Sequence, residues 1–114
     1  MFNIDYNCKR LLLYQTAQGE IPFDDWFTGL RDSAARAKIQ VRLRRITAGC
    51  LGDFKNIGLG IFELRAHWGP GYRIYFGVSG RDLFVLLWGG IKKTQGADIR
   101  KATEYWQDYL RRKK

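Results

Sequence analysis

The segment 60–76 reads Gly-Ile-Phe-Glu-Leu-Arg-Ala-His-Trp-Gly-Pro-Gly-Tyr-Arg-Ile-Tyr-Phe, and this pattern predicts two β-strands joined by a Gly-Pro-Gly turn. Apolar and polar residues alternate on both sides of the turn, with the period of a sheet that has one buried face. The alternation assigns eight residues to that face: Phe62, Leu64, Ala66, Trp68, Tyr72, Ile74, Phe76 and Val78. We therefore expect a half-buried antiparallel hairpin.

The opposite face of this hairpin is predicted to carry Glu63, Arg65, His67, Arg73 and Tyr75. A ribonuclease that uses no metal needs a base for the 2′-hydroxyl, cations for the phosphate and an acid for the leaving 5′-oxygen. Arginine side chains bind phosphate through two parallel hydrogen bonds, so Arg65 and Arg73 are predicted to hold phosphate. Glu63, His67 and Tyr75 remain alternative proton carriers, since a single histidine in a strand is more often structural than catalytic.

The composition indicates one basic domain. A chain of 114 residues with 46% hydrophobic content is long enough for a single core, so we treat 1–114 as one domain. Lys and Arg total 20 against 11 Asp and Glu, a formal charge of +9, which favours a polyanionic partner. RNA, DNA and an acidic protein all fit this charge. Lys55, Lys92 and Lys93 are predicted to contribute to RNA binding.

The two cysteines, Cys8 and Cys50, are far apart and form no Cys-x-x-Cys pair, so neither a zinc site nor a disulfide is expected. We predict buried free thiols in a reducing compartment. The N-terminal residues lack the features of a signal peptide, and no apolar run reaches the length of a membrane span. These patterns predict a cytoplasmic protein without a metal or cofactor.

The remaining segments alternate between helical and strand patterns. Residues 9–14 and 82–88 are predicted strands, the latter covered on both faces, and residues 52–60 a short strand or turn. Helices are predicted from Pro22, from Ser33 as N-cap to Ala48, and from Thr94 almost to the end. The basic residues of the second helix, Arg36, Lys38, Arg42, Arg44 and Arg45, are interpreted as a solvated surface. The predicted order is β-α-α-β-β-β-α, an antiparallel sheet packed by helices in the α+β class.

Several motifs occur in order along the chain. They are Phe23-Asp-Asp-Trp-Phe27, Gly52-Asp-Phe-Lys55, Glu63-Leu-Arg65, Gly69-Pro-Gly-Tyr-Arg-Ile-Tyr-Phe76 and Leu87-Trp-Gly-Gly-Ile-Lys-Lys-Thr-Gln95. With these motifs the chain resembles, from about Pro22 to Leu110, the RelE/HigB-type toxins of bacterial toxin-antitoxin modules. Specifically, it resembles the phage-related group of the RelE/ParE superfamily called addiction module killer proteins.

The resemblance implies a RelE-like, microbial-ribonuclease-like fold and an mRNA interferase that cleaves messenger RNA on the ribosome and inhibits translation. It also implies neutralisation by a helix-turn-helix antitoxin of the Xre/HigA kind. Arg73 matches the arginine that this family places at the scissile phosphate, and Arg65 matches the basic position on the preceding strand. Glu63 stands where RelE-like members carry lysine. The tyrosine found near the C-terminus of many active members has no match near Asp98.

Two other functions remain open for this sequence. A ParE-like protein has the same implied fold but inhibits DNA gyrase and cuts no RNA. A chain that has lost its toxicity would retain only the antitoxin-binding role.

Overall fold

A five-stranded sheet forms the centre of the molecule, with helices on both faces. The computed structural model describes residues 10–80 and 83–113. Its elements, in chain order, are β1 (Arg10–Leu13), α1 (Pro22–Thr28), α2 (Ser33–Thr47), β2 (Phe54–Gly58), β3 (Ile61–Ala66), β4 (Tyr72–Ser79), β5 (Leu83–Ile91), a 3-10 turn (Lys92–Thr94) and α3 (Gln95–Lys113). The architecture is α+β, as the sequence predicts.

The sheet is mixed, with the strand order β1-β5-β4-β3-β2. Strands β2 to β5 pair as antiparallel neighbours, whereas β1 runs parallel to β5 with Arg10 opposite Leu83. The prediction of an antiparallel sheet is therefore wrong at this edge, because a pairing between distant segments leaves no trace in local periodicity. The segment 52–60 contains a paired strand, β2, so four strands rather than three follow α2 in the described chain.

Helices α1 and α2 cover one face of the sheet. Pro22 occupies the first turn of α1, where its missing N–H costs no hydrogen bond. Helix α2 is capped by Asp32 rather than by Ser33: the Asp32 carboxylate accepts hydrogen bonds from the N–H groups of Ala34 and Ala35. The buried core on this side contains Phe23, Ala35, Ile39, Ile46, Leu64, Ala66, Tyr72, Ile74, Phe76, Phe84 and Leu86.

Helix α3 covers the opposite face and creates a second core. This core contains Tyr14, Ile61, Tyr75, Val85, Leu87, Ala102 and Trp106. Gly77 allows a close approach of α3, since a Cβ atom on Gly77 would lie 2.3 Å from the Trp106 ring. The prediction of a half-buried hairpin is therefore wrong, because α3 also buries part of the polar face.

The predicted hairpin is present, with β3 and β4 in register so that Arg65 lies opposite Arg73 and Glu63 opposite Tyr75. Residues 67–71 form the connecting loop. Gly69 and Gly71 adopt positive φ values of 58° and 79°, which favours glycine at both positions. The loop therefore acts as a hairpin turn, as the sequence predicts.

Two further predictions concern the cysteines and membrane-spanning segments. Cys50 is exposed, so the prediction of a buried thiol is wrong for this residue, which lies in the loop after α2. Cys8, together with Lys9 and Asp82 at the starts of two predicted strands, lies outside the described residues. Within 10–80 and 83–113, no helix is long and apolar enough to cross a membrane.

Candidate functional site

A groove of about 540 Å³ opens between the β3–β4 hairpin and the start of α3. Its lining consists of Lys55, Arg65, His67, Gly69, Pro70, Gly71, Arg73, Lys92 and Gln95, and we call it the basic groove. Five of the eight residues predicted to form the site therefore meet in one place. The described residues that line the groove include no carboxylate, and the lining side chains of Lys55, Arg65, Arg73 and Lys92 are all cationic.

Sheet register positions the two arginines. Arg65 and Arg73 are directly opposite each other on β3 and β4. Like charges in directly opposite positions destabilise a sheet unless an opposite charge lies between or beside them. Asp53 pairs with Arg65 but not with Arg73, so a bound anion would stabilise the arrangement further.

Arg73 is the most unusual group in the groove. It is 5% exposed, yet it forms no ion pair within the described part of the chain. Its Nη1 donates a long 3.4 Å hydrogen bond to the carbonyl oxygen of Tyr72, and its buried Nε has no partner among these residues. Burying an unpaired charge is costly. A phosphate between the arginines would supply the missing acceptor oxygens.

Asp53 joins two groove residues. Its Oδ1 accepts a 2.9 Å hydrogen bond from Arg65 Nη2, and its Oδ2 is bonded to Nε2 of His67. The hydrogen bond with His67 lowers the pKa of Asp53 most, and the hydrogen bond from Arg65 lowers it next. Together they hold this pKa below its ordinary value. Because a carboxylate accepts the hydrogen bond, Nε2 carries the proton, and Nδ1 of a neutral His67 keeps a free lone pair.

Arg42 of α2 supports this arrangement from behind. Its Nη1 donates to the Arg65 carbonyl oxygen at 2.9 Å, and its Nη2 donates to the carbonyl oxygens of Leu51 and Asp53 at 3.2 and 3.3 Å. The Arg65 N–H donates to the Asp53 carbonyl oxygen at 2.9 Å. Arg42 therefore fixes the backbone that carries both Asp53 and Arg65, and its own guanidinium is used in doing so.

Glu63 and Tyr75 were predicted to face solvent, and this is wrong. Both are 0% exposed, because α3 covers this part of the sheet. Oε2 of Glu63 accepts a 2.6 Å hydrogen bond from Nε2 of Gln95, whereas Glu63 Oε1 and the Tyr75 hydroxyl have no well-formed hydrogen bond among the described residues. Burial, and then the Glu63 charge, raise the pKa of Tyr75 above its ordinary value.

The two lysines after β5 separate. Lys92 lines the basic groove, whereas Lys93, the next residue in the 3-10 turn, is exposed and is not among the lining residues. A Cβ atom on Gly71 would lie 3.2 Å from Cβ of Lys92, so the hairpin loop packs closely against this turn. The turn thus positions Lys92 at the groove and directs Lys93 elsewhere.

Sequence reasoning missed Asp53 and Gln95. Both stand within quoted motifs, but neither was assigned a role. The signal for Asp53 was the pairing of β2 with β3: Phe54 lies opposite Leu64, so the residue before it lies beside Arg65. No local pattern predicts Gln95, because its contact with Glu63 depends on how α3 packs on the sheet.

Comparison with known proteins places the chain in a family. It is 44% identical over 82 residues to a Haemophilus influenzae protein described as an uncharacterized protein. The match covers 72% of this chain and 83% of that protein. The chain therefore belongs to the same family as the Haemophilus protein. No family model matches the sequence.

Proposed function

We propose that this protein is the toxin of a type II toxin-antitoxin module of the RelE/HigB kind. In this proposal it has the RelE-like fold and acts as a metal-independent endoribonuclease on messenger RNA bound to the ribosome. The ordered sequence motifs, the charge of +9 and the α+β architecture with a basic groove support the proposal. The Xre/HigA-like antitoxin and the cytoplasmic location belong to the same proposal and rest on the motifs.

The observation that carries the proposal is the buried, unpaired guanidinium of Arg73 at a groove without acidic lining residues in the described chain. Arg65 and Arg73 would hold the scissile phosphate through bidentate hydrogen bonds. Charge grows on the phosphate oxygens as the new bond forms, and fixed cations stabilise that charge. Lys55 and Lys92 add to the positive potential along the bound RNA strand.

Among the proton carriers, His67 suits the role of base best because it lines the groove. Nδ1 of His67 takes the proton of the 2′-hydroxyl, the 2′-oxygen attacks phosphorus, and the bond from phosphorus to the 5′-oxygen breaks. The products are a 2′,3′-cyclic phosphate and a 5′-hydroxyl that receives its proton from solvent. Asp53 stabilises the imidazolium that forms. Glu63, which is buried behind the groove, positions Gln95 in this proposal through the 2.6 Å hydrogen bond between them, and Tyr75 packs in the core on the α3 side.

The proposal is tested by inducing the protein in growing bacteria and mapping the 5′ ends of messenger RNA. The wild type should produce new, translation-dependent ends, and Arg73→Met should reduce them at least about 100-fold, as expected for losing a group that stabilises the transition state. Lys93→Met is the matched control, since it removes an exposed cation beside the groove and should cleave like the wild type.

Two results would overturn the proposal. Growth arrest with intact messenger RNA, together with inhibition of DNA supercoiling by the purified protein, would indicate a gyrase inhibitor. Normal growth with intact messenger RNA would indicate a protein that only binds its antitoxin.

A further inference from the structure

A second pocket lies on the α2 side of the β3–β4 hairpin. Its volume is about 240 Å³, and its lining consists of Lys38, Val41, Arg42, Arg45 and Trp68. We call it the Trp68 pocket. None of these residues lines the basic groove, and the described lining again contains no carboxylate.

Trp68 is a partly exposed aromatic ring with a cation above it. The Lys38 Nζ lies 4.7 Å from the centre of the Trp68 ring. On the protein side the indole packs against Tyr72, with ring centres 5.0 Å apart. The ring is therefore held in place from the core, while its outer contact is with one flexible, exposed lysine.

The cations of this pocket differ in their freedom to bind a ligand. The Arg42 guanidinium already donates hydrogen bonds to the carbonyl oxygens of Leu51, Asp53 and Arg65. Lys38 and Arg45 form no ion pair with any described residue. A fixed aromatic ring beside unpaired cations is the combination with which proteins bind single-stranded nucleic acid, since the ring stacks a base and the cations hold phosphates.

The Trp68 pocket and the basic groove are lined by residues that are adjacent in the sequence. Trp68 directly follows His67, and the Cα atoms of consecutive residues are about 3.8 Å apart. Trp68 packs with the core on the α1 and α2 side, whereas His67 lines the groove on the α3 side. The hairpin loop thus separates the two sites, and an RNA strand leaving the groove at His67 would cross this loop to reach Trp68.

We propose that the Trp68 pocket binds a nucleotide of single-stranded RNA that neighbours the one in the basic groove. Its base stacks on Trp68, and its phosphates are bound by Arg45 and by Lys38 after this lysine leaves the ring. An exposed cation–π contact is worth about two-fold to five-fold in affinity, against about five-fold to 150-fold for a stacked base. Replacing the Lys38 contact on the Trp68 ring by a stacked base is therefore favourable. The proposal rests on the proposed function, because it assumes RNA in the groove.

The test uses a fluorescent hexamer of 2′-O-methyladenosine, which cannot be cleaved, and measures its affinity by anisotropy. Trp68→Leu should weaken binding about ten-fold, whereas Trp68→Phe, which keeps an aromatic face, should stay within about two-fold. Lys38→Gln should weaken binding and reduce the slope of log affinity against log salt by about 0.7. Arg44→Gln is the matched control, since exposed Arg44 lies on the same helix outside the pocket and should leave that slope unchanged.

The outcomes separate this proposal from the proposed function. If the wild type fails to bind the hexamer, the Trp68 pocket is overturned, whereas the proposed function is decided separately by cleavage of messenger RNA on the ribosome. If Arg73→Met loses affinity but Trp68→Leu binds as tightly as the wild type, only the Trp68 pocket is overturned. Because Trp68 also packs on Tyr72, Trp68→Leu could lose affinity by disturbing the fold. Tryptophan fluorescence of the wild type and of Trp68→Phe therefore gives a second measurement on folded protein. The hexamer should quench the wild type more than Trp68→Phe, and equal quenching would overturn the pocket.

Discussion

Arg65 and Arg73 bring two positive charges together across adjacent strands, and one of them is buried. Asp53 compensates Arg65, at 2.9 Å, but no described carboxylate pairs with Arg73. This arrangement lowers the stability of the folded protein, and folded proteins retain such groups where binding or catalysis requires them. The cost at Arg73 therefore supports the proposed anion site.

Replacing Arg73 by methionine should separate binding from stability. Methionine fills a similar volume without a charge, so Arg73→Met should unfold at the same or a higher urea concentration, with a gain of up to about 1 kcal/mol. Binding of the RNA hexamer should fall at least about ten-fold. A loss of more than about 2 kcal/mol in the free energy of unfolding would show instead that the guanidinium supports the fold.

The contacts of Asp53 predict a dependence of stability on pH. Hydrogen bonds from His67 and Arg65 lower the pKa of Asp53 in the folded protein. A carboxyl whose pKa is lowered on folding contributes stability above its unfolded pKa, about 3.9, and loses that contribution as the pH falls through the lowered folded value. The stability advantage of wild type over Asp53→Asn, measured by urea unfolding, should therefore be present at about pH 6 and shrink below about pH 4. An advantage that stays constant down to about pH 2 would contradict this role of the Asp53 charge.

Among the elements, α3 has the greatest effect on the site. It buries Glu63 and Tyr75, places Gln95 at the groove, and packs Trp106 onto Gly77 of β4. The Tyr14 hydroxyl donates a 2.5 Å hydrogen bond to Asp108 of α3 and ties the helix to the end of β1. The groove therefore depends on the docking of a helix that contributes only one residue to its lining.

A methyl group on Gly77 should disturb this docking. Its Cβ would lie 2.3 Å from the Trp106 ring, so the helix or the ring must move, and overpacking of this kind typically costs about 1–3 kcal/mol and occasionally more. We expect Gly77→Ala to lose about 3 kcal/mol in thermal or urea unfolding.

The control for Gly77→Ala is Gly96→Ala in the first turn of α3. Its Cβ would meet only the end of the Arg100 side chain, at 4.0 Å, so alanine should be neutral or should stabilise the helix by up to about 1 kcal/mol. Equal stability of the two variants would contradict the packing described for α3.

At the scale of the whole molecule, local periodicity predicted most elements but not their assembly. Phe23, Trp26 and Phe27 recur at helical spacing, and the alternation in 60–76 identifies two strands. The same alternation cannot show that a distant helix covers the polar side of the hairpin, so the burial of Glu63 and Tyr75 was missed. The parallel edge formed by β1 and the contact of Asp53 with Arg65 were missed for a related reason, since both depend on strand register between separate segments.

The candidate site was predicted in part because charge is visible in a sequence. Lys55, Arg65, His67, Arg73 and Lys92 were all chosen for their chemistry, and all line one groove. Whether such groups are paired is decided by the three-dimensional neighbours. The unpaired state of Arg73 and the paired state of His67 therefore emerge only from the structure.

The most direct test of the proposed activity is to mix purified protein with messenger RNA on purified ribosomes and to determine the chemical ends of the RNA. We expect 2′,3′-cyclic phosphate and 5′-hydroxyl ends with the wild type, and cleavage at least about 100-fold slower with His67→Ala, the size expected for losing a general base. Intact RNA after incubation with folded wild-type protein would contradict the proposed activity, as would wild-type cleavage rates in Arg73→Met.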